Sequence, residues 1–207
     1  MRAKRKPRCS GCGLKPELCA CALLPSVRVA TPIAIVQHVR EQPKPTNTAR
    51  LFARIVEGTP ILPYGMREGA FDPTPLVDPA IAWRLIFLRE GASELDPSEA
   101  PPPGQRFGYV LLDGTWHQCS RMARRVALVK DMPCVMLPPG RPSIWTVRTQ
   151  HDERGMSTFE AALRVLELAE PPELVAPVRD AFALVTARML YIKGKLPSPE
   201  VPAEWRG

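Results

Sequence analysis

No stretch of this 207-residue chain approaches the roughly 18–20 consecutive apolar residues that cross a bilayer, so no membrane span is expected. The basic N-terminus has no apolar h-region after it, which argues against a secretory signal and for a cytoplasmic protein. There is no internal repeat, no Gly-x-Gly-x-x-Gly, and no phosphate loop ending in Gly-Lys-Ser/Thr. Those gaps argue against the common dinucleotide and ATP sites. What is abundant is proline and positive charge. The 25 prolines exceed the usual share of about 5% and fall between apolar segments, as punctuation of a loop-rich fold. The formal charge of +7 suits a polyanionic partner, because Lys and Arg displace counterions from phosphates; many basic proteins nevertheless bind no nucleic acid. An apolar content of 45% and a length of 207 residues allow one α/β domain with a core, plus a small appendage.

The appendage is residues 1–24. Residues 1–8 carry five positive charges and no apolar anchor, so they read as a solvated tail that can also grasp phosphate. Cys9, Cys12, Cys19 and Cys21 follow, four of the six cysteines within thirteen residues. In a reducing compartment such a cluster points to a closed tetrahedral zinc site, structural rather than catalytic. Free thiols or a redox pair are the alternatives. Cys119 and Cys134 stand in apolar contexts and read as core.

The main domain, residues 25–207, alternates strand, polar loop and helix. Val29–Gln37 reads as a strand running into a loop with His38 and Glu41. Asn47 or Thr48 can cap a helix whose stripe is Leu51, Phe52, Ile55 and Val56, with Gly58 as its stop. His38 is either a ligand-facing group or a hydrogen-bonded loop residue; Arg50 and Arg54 form a phosphate-facing edge or a wet face. Residues 59–80 show only turn signals. Ala80–Leu88 reads as a second strand, and residues 91–105 as a surface loop.

The stretch around which the rest is arranged is Phe107–His117. An unbroken apolar run suits a strand buried on both faces of a parallel sheet, and it ends in Asp113-Gly114-Thr115-Trp116 before a helix from Gln118. Open α/β sheets hold ligands at such strand ends. The bland reading is a capped turn with Trp116 in the core. Arg121, Arg124 and Arg125 lie off the apolar stripe of the following helix, as a solvated face or an RNA-backbone contact. Pro133–Pro138 is another short strand, breaking into the loop Pro138–Ser143, and residues 144–148 look extended. Ser157 and Glu160 have the form of a capping box at the start of a helix, and capping alone would account for both. A last helix spans about residues 173–193. The three polar loops 113–118, 138–143 and 149–158 can converge on one side of the sheet.

Taken together, the cysteine set, Gln37-His38-x-x-Glu41 with Thr46-Asn47-Thr48-Ala49-Arg50, Leu112-Asp113-Gly114-Thr115-Trp116 and Ser157-Thr158-Phe159-Glu160-Ala161 resemble the DTW-domain family of tRNA-uridine aminocarboxypropyltransferases. The resemblance implies a mostly parallel α/β sheet with flanking helices, SPOUT-like with a C-terminal trefoil knot, as a monomer or homodimer. It implies transfer of the 3-amino-3-carboxypropyl group of S-adenosylmethionine to N3 of a tRNA uridine, with methylthioadenosine released. Under it, Asp113 is the first candidate for general base or base anchor, with His38 and Glu41 in reserve. Thr115, Leu137, Pro138, Gly140, Ser143, Met156, Ser157 and Thr158 would cradle the co-substrate, and Arg148 its carboxylate or an RNA phosphate. Asn47, Arg50, Arg54, Trp116, Arg121, Arg124 and Arg125 would meet tRNA. An RNA methyltransferase and a non-catalytic, zinc-bearing RNA-binding module are the competing functions.

Overall fold

A computed structural model describes residues 7–147 and 155–196. In chain order the regular elements are β1 (Ile33–His38), α1 (Thr48–Ile55), β2 (Ile61–Tyr64), β3 (Ile81–Ile86), β4 (Ser93–Glu94), β5 (Arg106–Asp113), α2 (Trp116–Arg125), β6 (Cys134–Met136), α3 (Thr158–Ala169) and α4 (Pro172–Ile192). The strands form one sheet in the order β2-β1-β5-β3-β6-β4, and every neighbouring pair is parallel.

The expected α/β class is therefore present, and its central strands are apolar for the expected reason. Ile33 and Ile35 of β1 join Tyr109 and Leu111 of β5 in a core beneath α1, α3 and α4. Ala34, Val36 and Val110 point to the opposite face, into a core with Cys119, Met122 and Ala123 of α2. A sheet covered on both faces needs apolar residues at both alternating positions, which removes the polar alternation of a half-exposed strand. Cys119 is buried as expected, and Cys134 is partly buried beside the same core.

Several expectations shift. Residues 59–80, read as turns, contain β2, and the surface loop 91–105 contains the two-residue β4. Both lie at the sheet edges, where pairing to one neighbour stabilises a sequence with little strand character of its own. Helix α2 starts at Trp116, two residues earlier than expected, because Thr115 and Gln118 form a capping box. Residues 144–147 are turn rather than strand, since the amides of Ile144 and Trp145 donate to the Glu160 carboxylate instead of to a ladder. The N-terminal segment is no loose appendage: Cys12, Leu14 and Ala20 are buried in the core shared with α1 and α4. Arg188 of α4 also donates to the carbonyls of Leu18 and Cys19. No helix among the described residues is long and apolar enough to cross a membrane.

The strand order decides where a ligand can sit. From β1 the chain crosses by α1 to β2 on one side; from β5 it crosses by α2 to β6 on the other. Strands β1 and β5 are neighbours, so their carboxyl ends flank a topological switch point, where open parallel sheets leave a crevice.

Candidate active site

At that point the carboxyl ends of the two strands meet in register, Gln37 opposite Asp113. Asp113 is 6% exposed, and its carboxylate is enclosed by donors. Oδ2 accepts from Gln37 Nε2 at 2.9 Å and from Asn47 Nδ2 at 2.6 Å. Oδ1 accepts from Thr158 Oγ1 at 2.6 Å. Asn47 is itself fixed, because its Oδ1 caps α1 by accepting from Arg50 N at 2.9 Å and also accepts from Gln37 Nε2 at 3.2 Å. One carboxylate thus ties β1, β5 and the amino ends of α1 and α3 together. Charge-assisted bonds of this kind are worth more than neutral ones, and leaving any partner buried and unpaired is costly.

Beside this knot opens a cleft of about 960 Å³. Its floor is the carboxyl ends of β3, β5 and β6; its walls are the loop 137–144 and the face of α3 that begins at Thr158. Such a volume suits a ligand of nucleoside size or somewhat larger. Leu137, Pro138, Gly140, Ser143, Met156, Ser157 and Thr158, all expected around a co-substrate, line it together. Thr115 faces its own helix, its hydroxyl accepting from Gln118 N, while the flanking Gly114 and Trp116 reach the cleft. Arg148 and residues 149–154 of the third loop lie outside the described residues, as do residues 1–6 of the basic arm. Trp116 is 47% exposed at the cleft mouth, tilted against Phe87 with ring centroids 6.1 Å apart, which removes the core reading of that indole. Leu88 and Ile144 are also exposed there, so the mouth presents apolar surface to whatever enters.

Glu160 does far more than cap. Its carboxylate accepts from Ser157 N at 2.7 Å, closing the capping box, and also from Ser143 Oγ and Ile144 N, both at 2.8 Å, and Trp145 N at 3.3 Å. Residues 143–145 of the cleft wall are therefore hung on α3 through this one buried side chain. Arg164, further along the same helix, donates to the carbonyls of Pro138 and Arg141 and fixes the other half of that loop. Neither role has a sequence signal beyond the capping pattern, because the partners lie 15–26 residues away.

The reserve candidates are committed too. Glu41 is 1% exposed and ion-paired with Lys44. His38 accepts from Arg40 N at its Nδ1, 3.2 Å away, so the neutral ring carries its proton on Nε2 and is a donor toward ligands. Burial and then Arg40 push its pKa below the ordinary 6.5. Of the residues expected at RNA, Asn47 is buried in the knot. Arg50 and Arg54 stand beside Gly13 and Gly11 of the cysteine segment, and Arg121, Arg124 and Arg125 are exposed on α2.

The sulfurs of Cys9, Cys12, Cys19 and Cys21 all lie within 4.8 Å of one another. Three of the separations are 3.5, 3.5 and 3.8 Å. Four thiolates about 2.3 Å from a tetrahedral zinc ion stand roughly 3.8 Å apart, so the donor set fits that ion. The cluster also has reason to want a cation. The Cys12 amide pulls the Cys9 thiol down to about 6, whereas burial and the neighbouring sulfurs push Cys21 up to about 12.

Residues 6–190 match the DTW domain. The chain is 27% identical over 173 residues to tRNA-uridine aminocarboxypropyltransferase 2 of Macaca fascicularis, covering 81% of this chain and 58% of that protein. It is 28% identical over 180 residues to the protein of the same name from Drosophila melanogaster, covering 82% of this chain and 70% of that one. The mouse protein of that name is 26% identical, again with 58% of its length covered, so the chain spans little more than half of the two mammalian relatives. No solved structure matches the chain.

Proposed function

We propose, from the premise that this chain belongs to the DTW-domain family, that it modifies tRNA by transferring the 3-amino-3-carboxypropyl group of S-adenosylmethionine to N3 of a uridine. The relatives' shared name supports the reaction class. The observation that carries the reading is the meeting of the cleft with the Asp113 knot at the switch point. A nucleoside-sized groove, walled by loops rich in backbone polar groups, opens beside a buried carboxylate and an exposed indole. In this reading the loop 137–144 and the backbone groups of residues 156–158 hold the adenosine and methyl end, so that the methionyl γ-carbon faces the RNA. Trp116 stacks on a base, as aromatic side chains commonly do with unpaired RNA bases. Arg121, Arg124 and Arg125 meet phosphates and set position rather than sequence.

Catalysis is then mainly alignment of N3, γ-carbon and sulfur, since holding reactants in line replaces a bimolecular search. Zinc bound by Cys9, Cys12, Cys19 and Cys21 has a structural role. It pins the segment whose Gly13 packs on Pro45, next to the loop that delivers Asn47. The late strands β5 and β6, each inserted between earlier ones, are compatible with the interleaving a SPOUT-type knot requires, and we include that knot in the proposal. The test is incubation of the protein with bulk tRNA and labelled S-adenosylmethionine, followed by nucleoside mass spectrometry. A uridine heavier by the aminocarboxypropyl group is expected, and Asp113→Ala should abolish it while tRNA affinity is kept. Full activity of that variant would exclude Asp113 from the chemistry.

A further inference from the structure

Asp113 is the strongest acid–base candidate, yet it does not line the cleft. Its Oδ2 is covered by two carboxamide donors, Gln37 and Asn47, whose N–H groups are too weakly acidic to pass a proton on. Its Oδ1 meets the Thr158 hydroxyl at 2.6 Å, and Thr158 does line the cleft. Among the described residues, a proton leaving a substrate in the cleft therefore has one short route to the carboxylate, and it passes through Thr158 Oγ1. No described residue donates to that oxygen, so its lone pairs can receive a donor from the cleft side.

We propose that Thr158 is a catalytic proton relay, with Asp113 as the proton's destination. The proposal rests on the functional reading above. The uridine N3–H proton passes to Thr158 Oγ1 as the Thr158 proton passes to Asp113 Oδ1. The N3 electron pair forms the bond to the γ-carbon, and the electrons of the breaking C–S bond neutralise the sulfonium as methylthioadenosine leaves. One negative and one positive charge disappear together, and Asp113 later loses its proton to water. The arrangement explains why the carboxylate is buried: among the described residues it is reached through a hydroxyl, so it does not compete for the sulfonium as a nucleophile. It also places the relay on the first residue of α3, which the Ser157–Glu160 capping box holds in register.

The test uses Thr158→Val, which keeps the shape and lacks the hydroxyl, and Thr158→Ser, which restores it; Thr158→Ala replaces the valine variant if that one does not fold. Two quantities are measured: methylthioadenosine affinity by calorimetry, and single-turnover rate on tRNA across pH. The expected result is unchanged affinity for Thr158→Val and a rate lower by about a hundredfold or more, the usual worth of a positioned base. The deficit should shrink tenfold per pH unit as the uridine imide ionises by itself, and Thr158→Ser should recover most of the wild-type rate. A Thr158→Val rate within threefold of wild type would overturn the relay, and so would a deficit constant across pH, which marks mere positioning. If the wild-type protein releases no methylthioadenosine from any tRNA mixture, the functional reading itself fails and the relay falls with it.

Discussion

Replacing Glu160 by Ala tests whether residues 143–145 of the cleft wall hang on one carboxylate. The substitution removes the acceptor for the amides of Ser157, Ile144 and Trp145 and for the Ser143 hydroxyl. Hydrogen bonds to a charged group are worth about 1.5–3 kcal/mol each, but such values do not add within one network. The Ser143 hydroxyl and the amide of Ile144 can turn to water, because Ile144 is 48% exposed. The Trp145 amide keeps the Ser143 hydroxyl oxygen, which it reaches at 3.1 Å, so the Ser157 amide at the start of α3 has the least recourse. A net loss of about 1–3 kcal/mol follows from that one unsatisfied donor. For a protein of this size that lowers Tm by roughly 2–12 °C. Calorimetry reads the global effect, and amide exchange at residues 143–145 reads the local one. If the wall opens without unfolding the domain, exchange accelerates and methylthioadenosine affinity drops at least tenfold while Tm moves little. Unchanged melting together with unchanged exchange would refute the assignment. Glu160→Gln, which keeps one carbonyl acceptor, should fall between the two.

Other perturbations separate the remaining parts. Asp113→Asn keeps the shape of the knot and lets the Thr158 hydroxyl turn to accept, so the fold should survive within about 1–2 kcal/mol by urea unfolding, with turnover lost. Gly13→Ala should destabilise by a few kcal/mol, since φ at residue 13 is +74° and a Cβ there would lie 2.0 Å from the Pro45 carbonyl oxygen; a wild-type Tm would contradict the packing. Metal analysis should find one zinc per chain; Cys12→Ser should lower both zinc content and Tm, and a cobalt-loaded protein should show a tetrahedral thiolate spectrum. The His38 imidazole should titrate below 6.5 by NMR. Its folded pKa is depressed, so the unfolded chain binds more protons between that value and 6.5, and stability falls as pH drops through this window. His38→Gln should flatten that part of the pH–stability curve.

Much of the frame is legible in the residues alone, and the reason is periodicity. β5 and α3 have apolar patterns strong enough to declare themselves, and α1 begins where Asn47 can cap it. The edge strands β2 and β4 are not legible, because their state is set by a neighbour and not by their own composition. The site shows the same division. Residues of loops 137–143 and 156–158 do line one cleft; local pattern marks the loops, and the family resemblance nominates the residues within them. The ring of Gln37, Asn47 and Thr158 around Asp113 is beyond the reach of local pattern, since those bonds join positions 76, 66 and 45 residues apart. Likewise Glu160 looks like half of a capping box, which it is. Its second role exists only because the loop after β6 folds back over α3.

Which carbon of the co-substrate is transferred is read most directly from the nucleoside product. Purified protein, bulk tRNA and S-adenosylmethionine, resolved by chromatography, should yield methylthioadenosine in step with modified uridine. S-adenosylhomocysteine as the only nucleoside product would show methyl transfer instead and would contradict aminocarboxypropyl transfer.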